Sequence, residues 1–317
     1  MYEQSSAYSE FERADAERRA RPAKSTPSAP GASSRRVSAR PRSRPGRRPW
    51  PWFYPAGLGG WLGGTSSLDL PAERRPMIID AHCHAGKGDG LTGPWDTAAP
   101  LDKYLRRAAR AGIGRTVVFA AFNSDYGEAN REVARIVRSR PGRFYGFAFV
   151  HPERDRGNVG EIIRQAIEEF GFVGIKAHRH DGRLTREICE AALKFKLPLL
   201  YDVVGEISTI ELLATEYPRV RFIIPHLGSF SDDWSAQLAL IDHLVRHPNV
   251  FADTSGVRRF DLLCEAVRRA GAHKILFGSD GPWLHPGVEL AKIRALGLAP
   301  DQERLVVGEN FLRLIGR

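Results

Sequence analysis

Long apolar runs and cysteines are both scarce in this chain of 317 residues, and each scarcity excludes a class of protein. No run approaches the roughly 18 apolar residues of a membrane-spanning helix, so no membrane partner is expected. The three cysteines, Cys83, Cys189 and Cys264, are far apart and lack a paired zinc-ligand spacing, which argues against a disulfide-stapled or zinc-finger scaffold. Isolated cysteines suit a reducing compartment, and we expect a cytoplasmic protein.

Charge is distributed unevenly along the chain. Residues 1–76 hold 14 of the 47 Lys and Arg residues but only 7 of the 37 acidic residues. The same segment is rich in Pro, Gly and Ser and has no helical or strand period that could bury a continuous face. We predict that residues 1–76 form a disordered basic extension. Because it lacks interleaved aromatic and basic residues, a nucleic-acid partner is not expected.

From Met77 onward, short β-branched or aromatic runs alternate with longer segments of helical period, such as LDKYLRRAARAG and REICEAALKF. The predicted strands are MIIDAHC, RTVVFAA, RFYGFAFV, VGIKAH, PLLYDVV, RFIIPHL, NVFADTS and KILFGSD. Eight β/α units in residues 77–317 match the size of a closed (β/α)₈ TIM barrel, which is about 250 residues. An open doubly wound sheet with the same order of elements is the alternative.

Polar side chains cluster where the predicted strands end, and this clustering favours the barrel. In a barrel the C-terminal ends of the strands converge on one mouth, whereas an open sheet would scatter them. The strand-end residues are His82, His84, His178, Asp202, His226 and Asp280.

His82 and His84 lie two residues apart on the first strand. Strand side chains alternate between faces, so both imidazoles point the same way and Cys83 points oppositely. Closure of a barrel places the eighth strand beside the first, where Asp280 would add a carboxylate ligand or a base. With His226 at the same mouth, the sequence predicts a divalent metal site. A histidine pair that merely ends a strand is the alternative.

These segments resemble the amidohydrolase superfamily. IDAHCH, GIKAH, IIPHLG, NVFADTSG and ILFGSDGPW look like its successive strand motifs and cover essentially all of residues 77–317. The closer resemblance is to the amidohydrolase-related (amidohydrolase 2) branch of metal-dependent hydrolases and non-oxidative decarboxylases. It implies that His82, His84 and Asp280 bind one divalent metal ion, that Asp280 also handles protons, and that His226 polarises the substrate. Zinc is the metal expected first, with manganese or iron as alternatives, and a homodimer is a family expectation.

The fifth strand departs from the family pattern. A histidine is usual near its end, but this chain reads PLLYDVVG and has Asp202 there. Either Asp202 is itself a ligand, or His178 from the fourth strand substitutes for the missing histidine, or the metal is held weakly or not at all. Lys176 shares a strand face with His178, and we expect it to bind a substrate anion rather than to be carboxylated between two metals.

The resemblance implies an enzyme with a small-molecule substrate. The predicted reaction is metal-dependent hydrolysis of a C–N or C–O bond in an amide, cyclic amide or lactone, with Asp280 and His226 as the catalytic residues. Non-oxidative decarboxylation of a small carboxylic acid, aromatic or not, is one alternative. A catalytically silent barrel that acts as a binding protein is the other. His243 and His247, at a predicted helix end, are interpreted as surface residues.

Overall fold

The computed structural model describes residues 76–91, 98–230 and 233–317. The disordered extension predicted for residues 1–76 lies outside this part, apart from Pro76, and stays a prediction. No helix within the described residues is long and apolar enough to cross a membrane.

All eight predicted strands are present, together with one short strand that was not predicted. The strands are β1 (Ile78–Lys87), β2 (Ala98–Ala99), β3 (Ile113–Ala120), β4 (Phe144–Phe149), β5 (Gly174–His178), β6 (Pro198–Asp202), β7 (Arg221–Ile224), β8 (Val250–Asp253) and β9 (Ile275–Leu276). The unpredicted β2 pairs antiparallel with the end of β1.

Helices follow the strands in regular alternation. They are α1 (Leu101–Arg110), α2 (Tyr126–Ser139), α3 (Val159–Glu168), α4 (Arg186–Phe195), α5 (Ser208–Glu216), α6 (Trp234–Arg246), α7 (Phe260–Ala270), α8 (Pro286–Ala295), α9 (Pro300–Arg304) and α10 (Asn310–Leu314). Local capping sets several of their starts: Asp125 accepts a hydrogen bond from Glu128 N ahead of α2, and Thr185 does the same for Ile188 N ahead of α4.

The sheet is parallel in the order β1-β3-β4-β5-β6-β7-β8-β9 and it closes on itself. Beyond β9, Cys83 forms a parallel bridge with Gly281. Ala81 N donates to Phe277 O at 2.9 Å, and His84 N donates to Gly281 O at 2.6 Å. These bonds join the first strand to the last segment, so the predicted (β/α)₈ barrel is confirmed and the open sheet is excluded.

An extra residue interrupts the pairing of β1 between Asp80 and Cys83, in the stretch that contains His82. Asp80 pairs with Thr116 but Cys83 pairs with Val118, so the register shifts by one residue between them. Such β-bulges are frequent beside active sites, where they redirect side chains. Cys83 is fully buried in the hydrophobic core, as expected for the residue that faces away from the mouth.

The closure leaves no room for a side chain at Gly281. A Cβ there would lie 2.5 Å from the Tyr104 ring and 3.0 Å from Cys83 Sγ. We expect Gly281→Ala to lower the free energy of unfolding by about 1–3 kcal/mol through overpacking. Gly160→Ala in α3 is the matched control, because nothing lies within 4 Å of its Cβ position. Urea denaturation of both variants measures the difference, and equal stability would contradict this account of the closure.

Candidate metal centre

Barrel closure brings His82, His84 and Asp280 together at the mouth. Asp280 Oδ1 lies 3.4 Å from His82 Nε2 and 3.7 Å from His84 Nε2. All three residues are buried, and one ligand atom from each lies within 4.8 Å of the others. Asp280 reaches this position through a left-handed backbone with φ 55°, which aspartate tolerates better than most residues.

The second ring nitrogen of each histidine is held by an acceptor. His82 Nδ1 lies 2.8 Å from Asp253 Oδ2, and His84 Nδ1 lies 2.9 Å from Ala120 O. An oxygen that can only accept fixes the proton on Nδ1, which leaves the lone pair of Nε2 directed towards Asp280. Burial lowers the pKa of His84 well below 6.5, and the charge of Lys176 acts in the same direction, so the ring stays neutral.

The donor set fits a divalent cation. His82 Nε2 is buried and has no hydrogen-bond partner in the described part of the chain. An unprotonated nitrogen beside a carboxylate is unfavourable unless a cation lies between them. Tetrahedral sites with bonds of about 2.1 Å separate their ligand atoms by roughly 3.4 Å, which is close to the distances measured here. His82, His84 and Asp280 would therefore hold the ion that the sequence predicted.

Asp80 joins β1 to the segment after β9, and these two stretches carry the three ligands. It accepts hydrogen bonds from Ser279 N at 2.8 Å, Tyr104 OH at 2.6 Å and His82 N at 3.1 Å. Its carboxylate also accepts from Ser279 Oγ. Burial raises the pKa of Asp80 to about 7 in spite of these donors. Asp80 is absent from the predicted site although it lies in the same motif, because alternation along the strand does not reveal which neighbours a buried carboxylate meets.

Asp202 and His178 lie in a second cluster with His226. Asp202 Oδ2 is 3.2 Å from His178 Nε2 and 3.3 Å from His226 Nε2. Neither residue belongs to the three-ligand cluster. The two clusters are neighbours, since the rings of His82 and His226 are 5.0 Å apart. The ligand roles suggested for Asp202 and His178 stay predictions.

His226 carries a proton on both ring nitrogens and is therefore positively charged. Its Nδ1 lies 2.9 Å from Ser255 O and its Nε2 faces Asp202, so both nitrogens meet acceptors. Burial opposes the charge, but the bond to Asp202 and that carboxylate's charge raise the pKa of His226 to about 9. Burial also disfavours ionised Asp202, yet the charges of and bonds from His178 and His226 outweigh it and hold the pKa well below 3.8.

Lys176 is completely buried and its ammonium has no hydrogen-bond partner among the described residues. Nζ lies 5.1 Å from the centre of the Phe119 ring. Burial lowers the pKa of Lys176, and the nearby Asp202, Asp253 and Asp280 carboxylates offset this shift only in part. A desolvated amine with unused donors is arranged to receive an anion.

Asp253 at the end of β8 is a positioning residue that the sequence prediction did not include. Besides His82 Nδ1, it receives hydrogen bonds from His226 N at 3.2 Å and Ser255 N at 3.0 Å. It therefore joins the two clusters. The rule that strand-end carboxylates face the mouth would have found it, since it lies within the motif NVFADTSG.

Asp253→Asn should weaken metal binding without removing a ligand. An amide at this position no longer enforces the Nδ1-protonated form of His82, and loss of such a partner typically costs 10–100-fold in metal affinity. Competition with a chromophoric chelator measures the change. Asp261→Asn, at an exposed position, is the control, and equal affinity in both variants would refute the role assigned to Asp253.

His226 makes the stability of the metal-free protein depend on pH. Its folded-state pKa of about 9 exceeds the ordinary value of 6.5. Its contribution is thus complete below pH 6.5 and is lost as the pH rises through about 9, by roughly 3 kcal/mol in total. We expect the Tm of chelator-treated protein to fall over this range, and to fall less in His226→Asn. Parallel slopes for the two proteins would contradict the charge assigned to His226.

Comparison with known proteins places this site in a family context. The family model described as Amidohydrolase matches residues 79–317. All the residues named in the two clusters lie within this range. No curated protein sequence matches the chain significantly.

Three solved structures share the fold at low sequence identity. The 5-carboxyvanillate decarboxylase of Sphingomonas paucimobilis is 14% identical with a TM-score of 0.61, covering 76% of this chain and 99% of the other. A probable 2-pyrone-4,6-dicarboxylic acid hydrolase of Acinetobacter baumannii, with citric acid bound, is 15% identical with a TM-score of 0.60 and covers 76% and 99%. A dihydroxybenzoic acid decarboxylase of Polaromonas sp. JS666, with bound manganese and an inhibitor, is 17% identical with a TM-score of 0.59 and covers 76% and 97%. The family match over residues 79–317, which confirms the resemblance seen in the sequence, shows that the chain belongs to the amidohydrolase family.

Proposed function

We propose that the chain is a metal-dependent hydrolase that cleaves a C–N or C–O bond in a small molecule bearing a carboxylate. The observation that carries the proposal is the cluster of His82, His84 and Asp280, with the unpartnered Nε2 of His82. A divalent cation held there would polarise a substrate oxygen and make water more acidic. The two histidines favour zinc, and manganese, which one structural relative holds, is the alternative.

Two cationic groups at the mouth support a substrate with a carboxylate. Lys176 has unused hydrogen-bond donors, and His226 is a buried imidazolium. Both lie among carboxylates, but of the described residues only Asp202 lies within ion-pair distance of His226, and none lies that close to Lys176. The relatives named above act on a carboxyvanillate, a dihydroxybenzoic acid and a pyrone dicarboxylic acid, all of which are ring carboxylates. We infer that Lys176 binds the carboxylate.

Aromatic side chains beside His84 suit a ring. The Trp283 ring is 4.5 Å from the His84 ring and the Phe122 ring is 6.0 Å from it, in both cases between ring centres. Phe122 is buried and Trp283 is half-buried, so both offer flat apolar surfaces beside the cluster. A planar substrate would stack on them while its carboxylate turned inward to Lys176.

Asp280 and His226 divide the proton chemistry between them. The Asp280 carboxylate, which makes no strong hydrogen bond within the described residues, is free to take a proton from water and to return it to the leaving group. His226 keeps its proton and supplies positive charge where negative charge develops on the carbonyl oxygen.

Decarboxylation is the second candidate, and the charge on His226 favours it. Loss of carbon dioxide from a carboxylate leaves an electron pair on carbon, which must take up one proton. An imidazolium with a pKa of about 9 is such a proton source at neutral pH. Two of the three structural relatives named above are decarboxylases.

Product analysis separates the two reactions. We would incubate the metal-loaded protein with 2-pyrone-4,6-dicarboxylate and with dihydroxybenzoates in ¹⁸O-labelled water. Hydrolysis incorporates ¹⁸O into the organic product, whereas decarboxylation releases carbon dioxide and leaves no label in it. Absence of turnover across a panel of amides, lactones and ring carboxylates would count against both reactions and favour the silent barrel.

Asp280→Asn should abolish turnover and retain part of the metal. The amide remains a weak ligand but cannot accept a proton, so we expect kcat to fall by about 100-fold or more. Steady-state kinetics and elemental analysis on the same samples test this. His82→Ala is the companion variant, which should lose the metal itself. Undiminished turnover in Asp280→Asn would refute its role.

A further inference from the structure

A second cluster of metal-ligating side chains lies outside the barrel mouth. His243 and His247 are four residues apart on α6 and just beyond it, so they share one face, and their rings are 5.6 Å apart and nearly parallel. Glu211 of α5 faces them. Its Oε2 lies 3.3 Å from His243 Nδ1 and 3.2 Å from His247 Nε2. The prediction that both histidines are surface residues is wrong for His243, which is buried.

The three ligand atoms lie close enough together to bind one zinc ion. They all lie within 4.8 Å of one another, and the two distances to Glu211 are close to the roughly 3.4 Å expected for bonds of about 2.1 Å. Two imidazoles and one carboxylate are an established ligand set for zinc, with water in the fourth position.

Arg246 now supplies the positive charge in this cluster. Its Nη2 lies 2.9 Å from Glu211 Oε2 and 3.2 Å from His243 Nδ1. A guanidinium can only donate, so His243 Nδ1 carries a lone pair and is in the form that binds metals. The Arg246 side chain is 55% exposed, which allows it to withdraw into solvent when a metal ion replaces it.

The cluster lies at the opposite end of the barrel from the mouth. His247 precedes β8, whereas Asp253 at the other end of that strand contacts His82. The amide of Asn249 fastens the same corner by donating to Ala214 O and Tyr217 O at the end of α5. In TIM barrels this face serves stability rather than catalysis.

We propose that Glu211, His243 and His247 form a structural zinc site that crosslinks α5 to α6. The ion replaces Arg246 as the counter-charge of Glu211 and ties together two helices that otherwise meet through these side chains. Zinc bound there stabilises the folded chain and takes no part in the reaction at the mouth, so this proposal is independent of the proposed function.

The test uses the full-length, chelator-stripped protein carrying His82→Ala, which disables the mouth cluster. Zinc titration against a chromophoric chelator should show one remaining site, and zinc should raise the Tm. Adding Glu211→Gln should abolish both effects. Glu216→Gln on the same helix is the matched control, because Glu216 pairs with Arg186 at 3.6 Å and lies outside the cluster.

Arg246→Gln provides a test that does not touch a ligand. With Arg246 withdrawn to about 8 Å from a doubly charged ion in a largely aqueous setting, removing its unit charge should tighten zinc binding about fivefold. Cobalt substitution adds a spectroscopic test, since tetrahedral cobalt absorbs strongly in the visible range. Equal zinc stoichiometry with and without Glu211→Gln, or unchanged affinity in Arg246→Gln, would overturn the proposal.

Discussion

The hydrogen bonds that join β1 to the segment after β9 are the constraint on which the rest of the mouth depends. Asp80 strengthens this closure by accepting a hydrogen bond from Ser279 N, which is 199 residues away in sequence. Without it, His82 and His84 would have no carboxylate partner. The tight contact at Gly281 shows how little slack the closure allows. A metal ion held by these residues would couple ligand geometry directly to the integrity of the barrel.

The charge of each histidine at the mouth depends on the groups that surround its ring. His84 donates a hydrogen bond to a neutral carbonyl, and burial lowers its pKa so that the ring stays neutral. His226 meets Asp202, whose negative charge repays the cost of burying an imidazolium. The same residue type is thus neutral at one position and a buried cation 5.0 Å from His82 at another. This separation would let one mouth hold a cation and attract an anion, as the proposed function requires.

The two ends of β8 serve different purposes. At its C-terminal end, Asp253 orients His82 and contacts the His226 backbone, and it thereby links the ligand cluster to the charged cluster. At its N-terminal end, His247 and Asn249 take part in contacts between α5 and α6. The two ends of this short strand therefore carry different sets of contacts, in keeping with the usual division between the catalytic and stabilising faces of TIM barrels.

The sequence by itself determined the eight strands, the barrel and the grouping of His82, His84 and Asp280. Side-chain periodicity and the alternation of strands with helices can be read locally, and closure of the barrel then brings the strand ends together. Tertiary structure alone decided the partners. The pairing of Asp202 with His178 and His226, and the role of Asp253, depend on how neighbouring strands align, and a one-residue shift such as the bulge in β1 changes which groups meet. The burial of His243 and its contact with Glu211 likewise depend on how α6 sits in the folded chain and not on its position near a helix end.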